Sequence, residues 1–139
     1  MVIGALNKNL SINISQTKKM VKAAKPMKVT FHRAFDITDN LEKSLERIIS
    51  CKCNYLLTSG QTSSVEKGIK NLKQLGKLAN NRIKILAGGG VNHKNIKTLY
   101  DIGIREFHLS GSQRNKLGVL ETTFENINKA VKELTTLEN

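Results

Sequence analysis

Val29-Thr30-Phe31-His32-Arg33-Ala34-Phe35-Asp36 is the stretch of sequence that decides the fold. Its first half predicts a short β-strand, because apolar and polar residues alternate along it and successive side chains of a strand face opposite sides. Val29 and Phe31 would face one side, and Thr30 and His32 the other. An apolar side against helices and a polar side facing inward is typical of a strand in a parallel barrel.

A polar cluster follows at the end of this predicted strand. His32 is the last strand residue, and we expect Arg33 and Asp36 to lie in the loop that comes next. Ionisable side chains grouped at the carboxyl end of a barrel strand indicate a site. The alternative is a strand end whose charges pair with neighbouring groups and water, and the residues alone leave both interpretations open.

Strand-like and helix-like segments alternate along the whole chain. The predicted strands are Val2–Leu6, Met27–His32, Tyr55–Thr58, Ile83–Ala87 and Glu106–Ser110. The predicted helices are Ser11–Ala24, three that begin near Asp39, Ser63 and Asn92, and a last one marked by Phe124, Ile127, Val131 and Leu134. This order predicts parallel strands joined by right-handed helical crossovers.

Helix boundaries are predicted from capping residues. Asp39 with Glu42, and Ser63 with Glu66, have the spacing of capping boxes. Asn92 is predicted to cap the fourth helix, which we expect to end at a glycine further along.

Two features favour a (β/α)₈ barrel over an open doubly wound sheet. The predicted strands ending at His32 and Ser110 each carry polar side chains on one face, whereas central strands of an open sheet are apolar on both. Every predicted strand also ends in a polar or glycine-rich turn, which is where barrels place their sites.

The number of strands does not make a whole barrel. Five strands are predicted, whereas a barrel has eight over about 250 residues. We therefore predict an α/β fold that is a partial TIM barrel of about five βα units, with the three N-terminal units absent. The first and last strands would be open edges, through which the chain could pair with another chain or form a homo-oligomer.

Composition restricts the class of protein. The 139 residues are enough for one domain with a single core, so residues 1–139 are predicted to form one domain. The net charge is +12, but the lysines are spread along helical faces and aromatic residues make up only 4%, so we do not expect nucleic-acid binding. The sequence has neither a long apolar run nor a signal-peptide pattern, so we expect a cytoplasmic protein without a membrane partner.

Cys51-Lys52-Cys53 contains both cysteines. Two thiols at this spacing could bind a soft ion such as Cu(I) or Zn(II). The sequence nearby offers no histidine or further cysteine to complete a set of ligands. Two small buried residues in a reducing compartment are the alternative, and the metal ligands stay unknown at this stage.

Glycine-rich turns follow the last two predicted strands. Gly88-Gly89-Gly90 and Ser110-Gly111 occupy the two positions that commonly bind phosphate in barrels, because glycine lets backbone N–H groups approach an anion. Thr58-Ser59-Gly60 adds hydroxyl groups at a third strand end. The alternative is that the glycines only serve tight strand-to-helix turns, and both interpretations stay open.

These residues suggest roles in catalysis on a small anionic or phosphorylated metabolite. His32 or His108 would act as general acid or base, because imidazole exchanges protons near neutral pH. Arg33 would orient a carboxylate or phosphate, and Asp36 would position Arg33 or His32.

Several of these motifs occur together in one known family. The stretch 29–36, then Leu57-Thr58-Ser59-Gly60-Gln61, then Ala87-Gly88-Gly89-Gly90-Val91, in this order and spacing, resembles the CutC family of copper-homeostasis proteins. The predicted strand ends at Val2–Leu6 and Phe107–Ser110 fit as well. The resemblance implies a (β/α)₈ barrel of which this chain corresponds to strands four to eight.

The same resemblance implies cytoplasmic copper handling and Cu(I) binding. It does not settle whether such a protein is an enzyme. The family's copper-linked cysteines lie in early strands that have no counterpart here, and Cys51 and Cys53 fall outside that motif. Copper is therefore expected as a ligand through the resemblance alone, either in a truncated form or in part of a longer protein.

Overall fold

A five-stranded parallel sheet forms the centre of the fold, and the computed structural model describes all residues 1–139. The strands lie side by side in chain order, each joined to the next through a helical connection. They are β1 (Val2–Ile3), β2 (Thr30–Phe31), β3 (Tyr55–Thr58), β4 (Lys84–Gly88) and β5 (Glu106–His108). The helices are α1 (Ile14–Ala23), α2 (Leu41–Ser50), α3 (Ile69–Ala79), α4 (Ile96–Asp101) and α5 (Phe124–Glu138). The predicted α/β class with parallel strands is confirmed.

The strand register explains how one face of the sheet becomes the core. Ile3, Phe31, Leu56 and Ile85 pair in sequence across four strands and are all buried beneath the helices. Alternation then puts the neighbouring row, which includes Thr30, on the opposite and more open face. The predicted two-sided pattern of β2 is therefore present in the structure.

A 3₁₀ helix over Arg33–Ile37 replaces the loop predicted after β2. His32 caps this helix, since its Nδ1 accepts the N–H of Ala34 at 3.0 Å. Phe35 is fully buried in the core and anchors the turn. A 3₁₀ helix has three residues per turn, so Arg33 and Asp36 lie on the same side of it. An irregular loop would not hold the two side chains in this arrangement.

Helices α1 and α2 begin later than predicted. Asn13, not Ser11, caps α1 through an oxygen that accepts the N–H of Gln16 at 2.9 Å. Asn40, not Asp39, caps α2 in the same way through Lys43, also at 2.9 Å.

Helices α3 and α4 also begin later than predicted. Residues 65–68 form turns before α3, because the N–H of Val65 donates to the carbonyl of Gly89 at 2.9 Å and ties this segment to the end of β4. Asn92 forms a local turn, accepting the N–H of Lys94 at 2.9 Å, so α4 begins only at Ile96. The predicted glycine end of α4 is present at Gly103, which has a φ of +97°.

A short antiparallel hairpin between β5 and α5 was not predicted. Its strands are β6 (Ser112–Arg114) and β7 (Leu120–Thr122), joined by a turn in which Gly118 has a φ of +77°. Most of its side chains are exposed, so its sequence lacks the alternating apolar pattern that marks a buried strand.

The last helix packs on α4 through only part of its surface. Ala130 is buried, and Leu134 and Leu137 pack partly against the core. Phe124 and Val131 are exposed, with 82% and 54% of their surface accessible. Of the four apolar residues that predicted α5, Leu134 packs against the core, whereas Phe124, Ile127 and Val131 are exposed. None of the helices has both the length and the apolar character needed to cross a membrane.

Candidate functional site

Arg33 joins the ends of three strands. Its Nε donates to Asp36 Oδ2 at 2.7 Å, and its Nη2 donates to Ser59 Oγ at 2.7 Å and to the carbonyl of Thr62 at 3.3 Å. Its Nη1 lies beside Gly89, where a Cβ would come within 2.7 Å of it. The guanidinium is thus held by contacts from the loops after β2, β3 and β4.

Asp36 is the centre of this cluster. Its side chain is only 7% exposed, and its oxygens accept from Arg33 Nε, from the Thr58 hydroxyl, and from the backbone N–H groups of Ser59 and Gln61. Ser59 Oγ lies 3.0 Å from Oδ2 and 2.5 Å from the Thr62 carbonyl, so its single proton serves one of them at a time. Both carboxylate oxygens are therefore fully engaged.

We call Arg33, Asp36, Thr58 and Ser59 the arginine cluster. Of the two partners predicted for Asp36, it contacts Arg33 and not the His32 ring. Thr58 and Ser59, predicted to offer hydroxyls to a ligand, bond to Asp36 instead. The Thr58 hydroxyl also accepts the N–H of Gly60 at 2.8 Å. The cluster positions Arg33, whose side chain is 40% exposed and whose Nη1 has no hydrogen-bond partner within the protein.

His32 is held from two sides. Its Nδ1 caps the 3₁₀ helix, and its ring lies so close to Gly4 that a Cβ at that position would overlap the ring atoms. His108, predicted for the same role, is exposed at the end of β5 and pairs in register with Gly88. The structure does not bring the two histidines to one site.

A cavity of about 350 Å³ opens between the loops that follow β4 and β5. We call it the glycine pocket. Its lining contains the predicted residues Gly90, Ser110 and Gly111, but not Gly88 or Gly89. The remaining lining residues are Val91, Asn92, His93, Lys94, Leu109, Ser112 and Asn126.

His93 and Lys94 are the pocket residues that sequence reasoning missed. They come three and four residues after Gly90, the last residue of the glycine turn, and Lys94 is exposed. The Asn92 side chain accepts the Lys94 N–H and donates to the Gly90 carbonyl at 3.0 Å, which folds this turn against the pocket. A basic side chain just after a glycine turn at a strand end is the signal that would have found them.

Both cysteines are buried, and they lie in the segment that connects α2 to β3. This segment is away from the strand ends that carry the arginine cluster and the glycine pocket. Burial raises the pKa of the Cys53 thiol to about 12, with a smaller contribution from neighbouring Cys51. Burial also raises the pKa of Cys51. Thiolate is the form that binds metals, so both residues are kept in the form that does not.

The cysteines are expected to react slowly with alkylating agents in the folded protein. With a pKa of about 12 instead of 9.0, Cys53 should hold about 10³-fold less thiolate near pH 8 than an ordinary thiol. Iodoacetamide labelling followed by mass spectrometry, with and without urea, measures this protection. Labelling of Cys53 at equal rates in both conditions would contradict the burial.

The same shift makes stability depend on alkaline pH. Because the folded state keeps the Cys53 proton and the unfolded state loses it, the contribution is present below pH 9 and is lost as pH rises towards 12. The loss approaches about 1.4 kcal/mol per pH unit within that window. Urea unfolding of the wild type and of Cys53→Ala, each at two alkaline pH values, should show the steeper decline only in the wild type.

The donor set for copper is incomplete. No three side chains of His, Cys, Asp or Glu lie close enough together to hold a metal ion. Side chains of these four types therefore do not form a copper site with three or more ligands, and both thiols, which are soft donors, are protonated.

The model of one protein family matches residues 1–113, which is most of the chain; its description is "CutC family". The chain belongs to the CutC family. CutC proteins of Bacteroides fragilis and Bacteroides thetaiotaomicron are 44% and 47% identical to it, over 85% and 83% of this chain. The "Copper homeostasis protein cutC homolog" of Dictyostelium discoideum is 39% identical over 78% of this chain. The predicted family is thus confirmed.

Two solved structures share the fold of this chain, and one of them is a CutC protein. A crystal structure of a CutC protein from Streptococcus agalactiae superposes on 77% of this chain with a TM-score of 0.72 and 28% identity. A structure described as native KDPGal, 17% identical, shares the fold with a TM-score of 0.67. The CutC structure is TIM-barrel-like, and the five parallel strands described here match a part of that fold.

This CutC chain spans about half the length of the relatives that it matches. It covers 47% of each Bacteroides protein and 46% of the Dictyostelium protein. Among solved structures, it covers 53% of the Streptococcus chain.

Proposed function

We propose that the chain is a copper-homeostasis protein of CutC type that works in the cytoplasm and binds a small anion, such as a phosphate group, in the glycine pocket. Membership of the CutC family supports the general role. The observation that carries the ligand is the pocket itself, where loops from two adjacent strand ends place backbone, hydroxyl and cationic groups around one cavity.

The pocket offers groups that anions bind. Gly90 has a φ of +87° and no side chain, so a ligand can approach the backbone of this turn. The hydroxyls of Ser110 and Ser112 lie 2.6 Å apart on the opposite wall. Lys94 supplies a positive charge at the rim. A net charge of +12 on the chain favours the approach of an anion from solution.

Arg33 adds a second cation near the same turn. Its Nη1 packs on Gly89, the residue before Gly90, and its other nitrogens are fixed by the arginine cluster. A fixed guanidinium with a free edge recognises carboxylate and phosphate oxygens. In this proposal Arg33 and Lys94 flank the glycine turn, and Asp36 acts as a positioning residue for Arg33.

Removal of the Lys94 charge is expected to weaken phosphate binding at least about tenfold, because one charge-assisted hydrogen bond is worth about 1.5–3 kcal/mol. Isothermal titration of Lys94→Gln with inorganic phosphate at low salt measures the loss. Lys97→Gln is the matched control, since Lys97 is in α4 outside the pocket and pairs with Asp101 at 3.0 Å.

Equal affinities for phosphate in the two variants would place the bound anion elsewhere on this basic surface. Absence of any phosphate binding by the wild type at low salt would refute the anion site altogether.

The alternative function is a barrel enzyme that acts on a phosphorylated metabolite. Among the histidines, His93 is the one that lines the pocket. An imidazole there could exchange a proton with a ligand held by the glycine turn. His32 and His108, the acid–base residues predicted from sequence, lie outside the pocket lining, which makes His93 the better candidate for that role.

Direct Cu(I) binding is the finer form of the copper role, and the Cys51-x-Cys53 spacing is the observation that favours it. Because both thiols are protonated when folded, binding would release protons and strengthen as pH rises. Anaerobic Cu(I) titration of the wild type and of a Cys51→Ser, Cys53→Ser double variant tests it. Equal affinity in both proteins would exclude the cysteines as the copper ligands.

A further inference from the structure

We propose that the two open edges of the sheet, together with the exposed apolar face of α5, form a docking surface for a polypeptide of three βα units and low or negative net charge. The partner would add three parallel strands between β5 and β1 and close an eight-stranded barrel. The docking surface is defined by β1, β5 and the residues Phe124, Ile127 and Val131.

The sheet ends at β1 and β5. Each of these strands pairs with a neighbour on one side only, so the other side presents its backbone N–H and C=O groups without a strand partner. Val2 on β1 is largely exposed as well. Exposed strand edges of this kind are templates for a further strand.

An apolar face borders the open edge at β5. Phe124, Ile127 and Val131 follow one another at the i, i+3, i+7 spacing of a single helix face. All three are exposed, whereas Ala130, Leu134 and Leu137 make the contact of α5 with the body of the protein. Ile127 lies against Gly111, since a Cβ at Gly111 would come within 2.6 Å of Ile127 Cγ1. Because Gly111 follows β5, the apolar face of α5 lies next to the end of that strand.

The size of the partner follows from the relatives and from barrel geometry. Eight strands less the five present leaves three. The Bacteroides fragilis relative is covered to 47% and the Streptococcus structure to 53%, so about half of each lies outside the match. Three of eight βα units are about three eighths of a barrel, so such a segment fits within the half that is not covered.

Net charge argues against a second copy of this chain as the occupant. Each copy carries +12, so two copies brought together would repel one another. A second copy would also bring five strands to a gap that fits three. A partner with acidic or neutral composition avoids both problems, and charge attraction would speed its docking.

Co-expression tests the proposal with a defined probe. The probe is the segment of the Bacteroides fragilis relative that the family resemblance assigns to strands one to three, produced together with the 139-residue chain. We expect a soluble 1:1 complex in size-exclusion chromatography with light scattering. A probe that stays insoluble or elutes separately would overturn the proposal, as would a homodimer of the chain that persists when the probe is present.

A matched pair of variants tests the location of the surface. Val131→Asp, at a position 54% exposed on α5, is expected to weaken the complex at least tenfold. Ile37→Asp, at a position 60% exposed in the 3₁₀ helix after β2 and outside the docking surface as defined, is expected to change it less than twofold. Circular dichroism of each variant alone checks that it folds. Equal weakening by both, or no weakening by Val131→Asp, would place the contact elsewhere.

Discussion

Asp36→Ala is expected to lower the free energy of unfolding by about 3 kcal/mol, because each buried donor left without its acceptor costs about 1–3 kcal/mol. The change leaves Arg33 Nε, the Thr58 hydroxyl and the N–H groups of Ser59 and Gln61 without their acceptor. Buried donors without partners are what makes the loss large. Urea unfolding followed by far-ultraviolet circular dichroism measures it.

The exposed aspartate Asp101 provides the control. It pairs with Lys97 at 3.0 Å on α4, and both side chains are more than half exposed. Asp101→Ala is therefore expected to cost less than about 1 kcal/mol, because exposed ion pairs contribute little. If the two alanine variants lose similar amounts of stability, the hydrogen bonds of Asp36 in the arginine cluster contribute no more than an exposed ion pair.

Gly68→Ala is expected to destabilise the protein by about 3 kcal/mol, at the upper end of the range for overpacked sites. A Cβ at residue 68 would overlap the carbonyl oxygen of Ser59 and come within 2.8 Å of Thr62 Oγ1. Because the first of these is backbone, it cannot rotate away, and the loop that holds Arg33 must shift. The variant should therefore also lose phosphate affinity.

Gly76→Ala is the matched control for this substitution. Gly76 lies inside α3, and a Cβ there meets nothing within 4 Å. Alanine is favoured over glycine in a helix interior by about 0.5–1 kcal/mol, so this variant should be more stable than the wild type. Opposite signs for the two glycine substitutions are the expected result, and a stabilising Gly68→Ala would refute the predicted overlap.

The sheet could be predicted because its strands carry their own signal. Phe31 and Leu56 pair across β2 and β3 in one buried row. A strand with one buried face carries apolar residues at alternate positions, and this alternation can be read from the sequence. The start of α3 could not be predicted, because it is decided by the bond from Val65 to the distant Gly89. The hairpin of β6 and β7 was missed because an exposed hairpin needs no buried residues.

The candidate site was predictable only in part. The i, i+3 spacing of Arg33 and Asp36 indicated that one would position the other, which is the contact seen. Sequence cannot show that the Thr58 hydroxyl donates to Asp36 rather than to a ligand. The two residues are 22 positions apart in the chain, and they meet only because β2 pairs with β3. Lys94 was missed because the pocket exists only when the loops after β4 and β5 meet. The roles of all these residues in binding or catalysis stay predictions.

The cap on the 3₁₀ helix determines which way His32 can exchange protons. Since Nδ1 accepts the Ala34 N–H, the neutral ring must be the tautomer that carries its hydrogen on Nε2. The neutral ring can therefore donate a hydrogen bond through Nε2, but it can accept a proton only on Nδ1, by releasing the Ala34 N–H and loosening the turn that holds Arg33. Nitrogen-15 chemical shifts of the imidazole distinguish the two tautomers, and they would show whether this directional constraint exists in solution.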